Sequence, residues 1–485
     1  MAYFINDIFH MNKNLILFSL LIFLNINNSK SSYVTIPFKI YRDPEPSIYS
    51  SIEDYFTYNS ELKYYGQISM GESESPIPLF FTFNDYGFYF VTKGTDLGDI
   101  NTSYDPSSSP SCQSDPKGNI YFKNYGKAAK SNDTFIFNTN TNNPLKCKKL
   151  KFLYATEDNK KKNSFLMIGL RLLGDIIRDD ELNIIKQLKQ NKYIDTYDWS
   201  IHYDEKNPEK EGVLLIGTEP HKYNPQKYNQ DYYFNSVNII KYAYGEWCIE
   251  FDKIYFMNDD DEEVEVDDYT KFTFRHQSGL ISGTSSYERK LKQYFFDELI
   301  SSKECSMETS SLYTRVYVCT NTEKIKNKLK NKFPPLKLLS KPYMKTFELT
   351  YEDLFKEKSD KIYFLVYFSS YQGSSWGVGL PFLKKYFLNY NYDSKLISYY
   401  NNDLANIKYE KDSDSGNGLK KVVIIIFLII FITIIGYFCG KRYISMRMKQ
   451  KISARELEND FRKQISESEY KPPSNEQENS KYRLI

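Results

Sequence analysis

The chain has 485 residues and a formal net charge of +2. Its length exceeds what one hydrophobic core usually organises, so two lobes are expected. The near-zero net charge gives no indication of a nucleic-acid partner or another polyanion. Aromatic residues make up 17% of the chain, with 44 Tyr and 34 Phe. This share favours β structure, because Tyr and Phe suit pleated, half-buried positions.

The start of the chain has the form of a secretory signal peptide. A weakly basic stretch around Lys13 precedes an apolar run of about ten residues, 15–24, and small polar residues follow at 28–32. The run is too short to cross a bilayer. We therefore predict that residues 1–32 are a cleaved signal peptide.

Short β-prone runs, separated by Gly, Asn, Asp and Pro clusters, follow as far as residue 400, which is the pattern of an all-β fold. The clearest predicted strands are residues 66–70, 79–91, 134–137, 212–217, 247–257 and 363–368. Helical periodicity predicts helices at 179–194 and 286–299. The acidic stretch 259–268 lacks EF-hand spacing, so it predicts a solvated turn. No metal and no cofactor are expected.

The cysteines and sequons are those of a chain that matures in an oxidising lumen. Cys305 and Cys319 are close in sequence and predict a disulfide-closed hairpin, with Cys112 to Cys147 as a second pair. Cys248 is then left as a buried thiol. The sequence predicts glycosylation at the sequons of Asn101 and Asn132.

A second apolar run, residues 422–440, contains no charged residue and is long enough to span a hydrocarbon core. More Lys and Arg follow it than precede it, which places its C-terminal side in the cytosol. Residues 401–421 read as a polar stalk and 441–485 as a cytosolic tail. The sequence therefore predicts a type I single-pass membrane protein.

Seven segments between residues 60 and 400 occur in an order known from one protein family. They are 64–71 (YYGQISMG), 104–109 (YDPSSS), 125–126 (YG), 165–170 (FLMIGL), 199–203 (WSIHY), 212–223 and 376–387. Together they resemble the pepsin-like aspartic proteases. This resemblance implies two β lobes with a long cleft between them.

The resemblance also implies a division of the ectodomain. An N-terminal segment, residues 33–59, would precede an N-terminal lobe at 60–237 and a C-terminal lobe at 238–400. Tyr125 and Gly126 fall where the family places its flap, a hairpin that covers the cleft.

In that family, catalysis rests on two Asp-Thr/Ser-Gly loops, one per lobe, whose paired carboxylates share a proton and activate water. Counting from Gly66 places Thr82 or Phe83 at the first catalytic position. A shifted alignment places Asp85 there, at the cost of a local insertion.

The second catalytic position has no carboxylate in any alignment. Anchoring on residues 280–283 places Arg275 there, and anchoring on 277–279 places Gln277 there. No Asp or Glu occurs between residues 271 and 287. His276 and Ser278 lack an orienting acid nearby, which predicts a hydrogen-bonded loop histidine and not a nucleophile pair. The resemblance therefore predicts a pepsin-like protein without peptidase activity.

We expect the cleft to bind a peptide or protein ligand, because backbone hydrogen bonds and apolar pockets do not depend on the carboxylates. One alternative is an active membrane-bound aspartic endopeptidase with divergent loops. A second alternative is a structural surface protein with a vestigial cleft.

The last four residues fit a sorting signal. Tyr482 and Ile485 match the Tyr-x-x-bulky-apolar pattern that clathrin adaptors bind as an extended strand. This pattern predicts an adaptor as a cytosolic partner and a place in the secretory or endocytic system or at the plasma membrane.

Overall fold

The computed structural model describes most of residues 33–400 and parts of 441–463, which belong to two compact units, Met1–Leu404 and Ala405–Ile485. The described residues are 33–42, 47–72, 74–83, 87–92, 109–122, 126–139, 144–155, 164–172, 180–228, 234–240, 246–369, 375–400, 441–442, 445–449, 451–460 and 462–463. The first unit is mostly β structure, as predicted.

Strands make up most of the first unit. In chain order they are β1 Val34–Tyr41, β2 Lys63–Met70, β3 Ser75–Thr82, β4 Phe88–Thr92, β5 Gln113–Phe122, β6 Gly126–Thr139, β7 Leu145–Ala155, β8 Ser164–Gly169, β9 Asp198–Tyr203, β10 Glu211–Ile216, β11 Phe234–Asn238, β12 Cys248–Met257, β13 Glu263–Phe274, β14 Ile281–Gly283, β15 Cys305–Thr309, β16 Thr314–Thr320, β17 Leu336–Ser340, β18 Lys345–Leu349, β19 Phe355–Lys358, β20 Lys361–Ser369, β21 Trp376–Val378, β22 Leu388–Asn391 and β23 Leu396–Tyr400.

The helices of this unit are short. They are α1 Ile52–Ser60, α2 Ile184–Gln190, α3 Pro220–Tyr223, α4 Ser285–Leu291, α5 Asp297–Ser301, α6 Glu323–Lys332, α7 Tyr351–Leu354 and α8 Leu380–Leu383. A 3-10 turn, Asp180–Leu182, precedes α2, and a π-helical turn, Lys292–Phe296, joins α4 to α5. Most helices are capped by Ser, Thr or Asn; Ser51, for example, accepts the Asp54 N–H in a capping box.

Six antiparallel strands form a central sheet in the order β11-β23-β22-β9-β10-β1. Its strands come from the beginning, the middle and the end of the described part of the first unit, so this sheet joins distant parts of the chain. The predicted N-terminal segment 33–59 contributes β1 to it. The last two strands, β22 and β23, also lie in it, although the sequence placed them with the C-terminal lobe.

The remaining strands form two lobes. Lobe 1, residues 63–169, continues the central sheet through β1 in the order β2-β3-β8-β4-β7-β6-β5. Lobe 2, residues 248–378, has its own sheet in the order β15-β16-β20-β14-β21-β13-β12-β17-β18, with β19 paired to β20. The two-lobed β fold that the sequence predicts is therefore confirmed.

The strand predictions hold in most places, and the differences have local causes. The run 79–91 is two strands, since β3 ends at Thr82 and β4 begins at Phe88. The acidic stretch turns only at its start, where Asn258 Oδ1 accepts the N–H groups of Asp260 and Glu262. Its second half belongs to β13.

The predicted disulfide between Cys305 and Cys319 is confirmed, and it joins the neighbouring strands β15 and β16. The second predicted pair is not formed, because Cys147 is a free, buried thiol. It lies on β7, whereas Cys112 lies at the start of β5, and β6 separates these strands. Two strand spacings, roughly 10 Å, exceed the reach of a disulfide. Cys248 is a buried thiol, as predicted, and burial raises its pKa to about 11.

Replacing both Cys305 and Cys319 by Ala is expected to lower the free energy of unfolding by about 3 kcal/mol. The bond closes a loop with a sequence separation of 14, and a loop of this size restricts the unfolded chain by about that amount. Urea unfolding followed by tryptophan fluorescence measures the change. Cys248→Ala is the control for thiol removal alone, and a loss equal to that of the control would contradict the prediction.

Among the described residues, no helix is both long and apolar enough to cross a bilayer. The predicted signal peptide, stalk and membrane helix lie outside the described residues, as does the predicted sorting signal. The described tail residues between 441 and 463 are helical and exposed.

Candidate functional site

The two lobes repeat one strand arrangement. In lobe 1, β8 lies between β3 and β4, parallel to β3 and antiparallel to β4, and β4 runs parallel to β7. In lobe 2, β21 lies between β13 and β14 with the same directions, and β14 runs parallel to β20. The loop from β3 to β4 therefore corresponds to the loop from β13 to β14. We call these loop 1 and loop 2.

The strand register defines which loop residues correspond. The two inserted strands align through a shared apolar-Gly-Leu sequence, which is 168–170 at the end of β8 and 378–380 at the end of β21. At the aligned positions, Met167 pairs with Phe80 and Tyr89 in lobe 1, and Gly377 pairs with Thr273 and Ser282 in lobe 2. In both lobes the two partners are nine residues apart, so the loops have equal length. Counting forward, Thr82 corresponds to Arg275 and Phe83 to His276.

Loop 2 therefore has Arg275, His276 and Gln277 where the resemblance implies Asp, Thr or Ser, and Gly. All three residue types differ in charge or size from those of the family. Arg275 is exposed and His276 is buried, so the two side chains point to opposite sides of the loop. In loop 1, Thr82 is buried and Phe83 is partly buried. Asp85 lies outside the described residues.

The two loops meet through stacked rings. Phe83 lies on His276 with ring centroids 4.5 Å apart and an interplanar angle of 20°. Trp199 of β9 stacks on Tyr390 of β22 at 4.2 Å, and both rings pack against His276. Tyr64 of β2 packs edge-on against Phe83 at 5.5 Å. These five side chains, the interlobe cluster, pack together where the two loops meet.

Hydrogen bonds fix His276 within this cluster. Its Nε2 lies 2.9 Å from the Tyr390 hydroxyl, and its backbone carbonyl accepts the Tyr64 hydroxyl at 2.7 Å. Its Nδ1 is buried without a partner among the described residues. Burial lowers the pKa of His276 to about 3, so the ring is neutral at physiological pH. The Ser278 hydroxyl donates to the Leu280 carbonyl at 2.8 Å.

A strap between β1 and β2, residues 47–62, crosses to lobe 2. On α1, the Tyr55 hydroxyl donates to the Phe364 carbonyl at 3.0 Å, and its ring stacks on Tyr363 at 4.7 Å. The Leu62 N–H donates to the Gln277 carbonyl at 2.6 Å. The strap, which lies between β1 and β2 in the chain, therefore contacts lobe 2 at loop 2 and β20.

The flap and glycosylation predictions fall on the β5–β6 hairpin and its surroundings. Gly126 is the first residue of β6 and pairs with Phe122, whereas Tyr125 and Asn101 lie outside the described residues. Asn132 lies in the middle of β6 between β5 and β7. It is partly buried, and its Oδ1 is buried without a hydrogen-bond partner among the described residues.

A separate groove of about 950 Å³ lies over β1, β2, β9 and β10. Acidic and basic side chains both line it, among them Glu211 and Lys227. Neither Thr82 nor Arg275 reaches it. It is therefore distinct from the loops that the sequence identified.

Sequence reasoning missed the interlobe cluster. Tyr64 and Trp199 stood in segments that carried the resemblance, but nothing local marked them as neighbours of loop 2. Tyr390 stood in no recognised segment. A possible signal was the replacement of both Thr/Ser positions by rings, Phe83 and His276, because paired rings at two corresponding positions indicate stacking.

These features define a two-lobed β protein of the pepsin-like fold whose loop 2 lacks the catalytic sequence. The fold resembles that of basic 7S globulin from soybean, with a TM-score of 0.53 and 11% identity over 78% of this chain and 98% of that one. It also resembles conglutin gamma, a basic 7S globulin from lupine seeds, with a TM-score of 0.54 and 10% identity over 76% of this chain and 95% of that one. At these identities the likeness concerns the fold alone. No protein-family model and no curated protein sequence matches the chain.

Proposed function

We propose that this protein is a non-catalytic, membrane-anchored member of the pepsin-like fold whose cleft binds a peptide or protein ligand. The observation that carries the proposal is loop 2, where Arg275, His276 and Gln277 stand at the positions of the catalytic sequence. Replacing these residues removes the catalytic groups, whereas the two lobes are still formed and still in contact.

Hydrolysis in this fold needs two carboxylates, one to accept a proton from water and one to polarise the peptide carbonyl. A guanidinium has five N–H donors and no acceptor, and it stays protonated at every physiological pH. Arg275 therefore cannot take the role of general base. A single carboxylate in loop 1 would have no partner with which to share a proton.

The full-length protein is expected to cleave no unfolded protein substrate between pH 3 and pH 7. Reduced, denatured casein is a suitable substrate, with pepsin as the positive control and pepstatin as the family-specific inhibitor. Cleavage that pepstatin blocks would reject the proposal and favour the alternative of an active endopeptidase with divergent loops.

Ligand binding and a structural role predict different behaviour of the cleft toward peptides. A binding protein retains extended peptides, whereas a surface protein with a vestigial cleft retains none. Support for binding comes from Arg275, which is exposed while the next residue, His276, is buried in the interlobe cluster. Retention of peptides by the full-length protein therefore separates these two functions.

The proposal includes the location of the protein: residues 1–32 act as a signal peptide, residues 422–440 anchor the chain with type I topology, and Tyr482 and Ile485 form a sorting signal. We expect Tyr482→Ala to shift the steady-state distribution toward the plasma membrane, because the adaptor pocket for Tyr is left empty. Surface biotinylation of transfected cells measures the shift. Tyr470→Ala, in the same tail but followed by Lys-Pro-Pro, is the matched control. An equal distribution of the two variants would remove the sorting function.

A further inference from the structure

Arg275 is an exposed cation in loop 2, next to the junction of the lobes. It precedes His276, which is buried in the interlobe cluster, and it corresponds by register to Thr82 of lobe 1. Loop 1 and loop 2 touch through Phe83 and His276, and Arg275 is the residue before His276. A cation therefore stands at the loop position where the resemblance implies a catalytic carboxylate.

The surroundings of Arg275 fit its side chain. A Cβ on Gly377 would lie 2.8 Å from Arg275 Nε and 2.9 Å from Cζ, so only glycine at that position lets the guanidinium lie over β21. One nitrogen, Nη1, lies 3.3 Å from the Tyr367 hydroxyl. The Tyr367 ring in turn packs against Phe56 of the strap at 6.0 Å. The guanidinium is thus supported on one side and open on the other.

The part of the chain that the structure describes supplies no carboxylate to Arg275. Two other arginines of this unit do have one: Arg315 makes bonds of 2.8 and 2.6 Å to Glu288, and Arg42 lies 3.8 Å from Glu209. A guanidinium has a planar fork of donors that matches a carboxylate in two parallel hydrogen bonds. With one donor directed at Tyr367, the others remain for a ligand.

We propose that Arg275 selects a ligand segment that carries a carboxylate, with the Tyr367 hydroxyl as a second donor. This inference rests on the proposed function, because it concerns a peptide held in the same cleft. The carboxylate belongs to an Asp or Glu side chain or to the C-terminus of the segment. In a catalytic member of the fold, two acidic residues repel such a group; here the charge at that position is inverted.

The test compares peptide pools on the full-length protein in detergent micelles. One pool of random decapeptides has amidated C-termini and the other has free C-termini, and mass spectrometry identifies the peptides retained. We expect the wild-type protein to enrich Asp and Glu from the amidated pool, or to prefer the free C-terminus, according to the source of the carboxylate. Charge-assisted hydrogen bonds of this kind change affinity about tenfold or more, so Arg275→Gln should remove most of the enrichment.

Arg289→Gln is the matched control, because Arg289 is an exposed arginine on α4 of the same lobe. Arg275→Glu reverses the charge and should enrich Lys and Arg instead. Retention of peptides with no acidic preference, or with a preference that Arg275→Gln leaves intact, overturns this inference while the binding function stands. Failure of the wild-type protein to retain any peptide overturns both. Tryptophan fluorescence of each variant confirms that it is folded.

Discussion

Acidification from pH 7.5 to pH 5 is expected to lower the free energy of unfolding by roughly 4 kcal/mol, about 2 kcal/mol from each of two buried histidines. Burial lowers the pKa of His276 to about 3. Burial, and then the nearby Lys227, lowers the pKa of His202 to about 3. Both values lie below the 6.5 of an unperturbed histidine.

The sign follows from proton binding. Between pH 6.5 and pH 3 the unfolded chain protonates both imidazoles, whereas the folded protein keeps them neutral. The unfolded state binds more protons in this range, so stability is complete above pH 6.5 and falls as the pH decreases. Stopping at pH 5 limits the contribution of Asp and Glu, whose unperturbed pKa values are near 4.

Urea unfolding of the full-length protein at several pH values, followed by tryptophan fluorescence, measures this dependence, since all three tryptophans lie in the first unit. His276→Gln removes one titrating ring and places an amide within reach of the Tyr390 hydroxyl, so the pH dependence should fall by about half. The His202 ring forms hydrogen bonds with the hydroxyls of Ser200 and Tyr228. His202→Gln should remove the other half of the pH dependence. An unchanged pH dependence in both variants would contradict the burial of the two rings.

This dependence bears on function. A pepsin-like enzyme that shares a proton between two carboxylates works in acid, where its lobes must stay together. Here loop 2 contains a neutral histidine, His276, whose protonation in the folded protein would introduce an unpaired buried charge. We therefore expect acid to weaken this junction.

The sequence was sufficient for the fold because the fold depends on patterns that a chain displays locally. Segments such as 212–217 and 376–387 keep their composition and their order, and the short spacing of Cys305 and Cys319 limits them to one hairpin. The missing acid between residues 271 and 287 needs no alignment at all. None of these features depends on the exact residue at which a strand begins.

The position of the loop residues depended on register, which sequence does not display. Counting from Gly66 gave Thr82 or Phe83, with Asp85 only in a shifted alignment. The pairing of β8 with β3 and of β21 with β13 aligns Thr82 with Arg275. The prediction of a Cys112–Cys147 disulfide was wrong because it also depended on strand order. A spacing of 35 residues fits many hairpins, and only the strand order shows that β6 lies between the two cysteines.

The interlobe cluster was beyond sequence reasoning because its members share no local pattern. Tyr64, Trp199 and Tyr390 come from three strands of different origin, and each alone reads as an ordinary core aromatic. They meet only because the central sheet joins the middle and the end of the chain beside loop 2. Long-range pairing of this kind follows from topology, so the chemistry of the junction appears only in three dimensions.

Trp199→Ala is expected to lower the free energy of unfolding at pH 7 by about 3–5 kcal/mol, the usual loss for a fully buried large aromatic. Trp199 is completely buried and stacks on Tyr390 with an interplanar angle of 13°. Trp199→Phe should lose less, because a ring remains against Tyr390. Trp376→Ala is the matched control: Trp376 is equally buried, but it stacks on Phe272 inside lobe 2.

The two tryptophan variants are expected to differ in their response to acid. Without Trp199, water reaches His276, so the pKa of His276 rises toward its ordinary value and its share of the pH dependence, about 2 kcal/mol between pH 7.5 and pH 5, disappears. Trp376→Ala leaves His276 buried and should keep the full pH dependence despite a similar loss at pH 7. Urea unfolding at the two pH values, followed by circular dichroism, separates these outcomes. Equal pH dependence in both variants would mean that Trp199 does not shield His276, and the interlobe cluster would then be packing without electrostatic consequence.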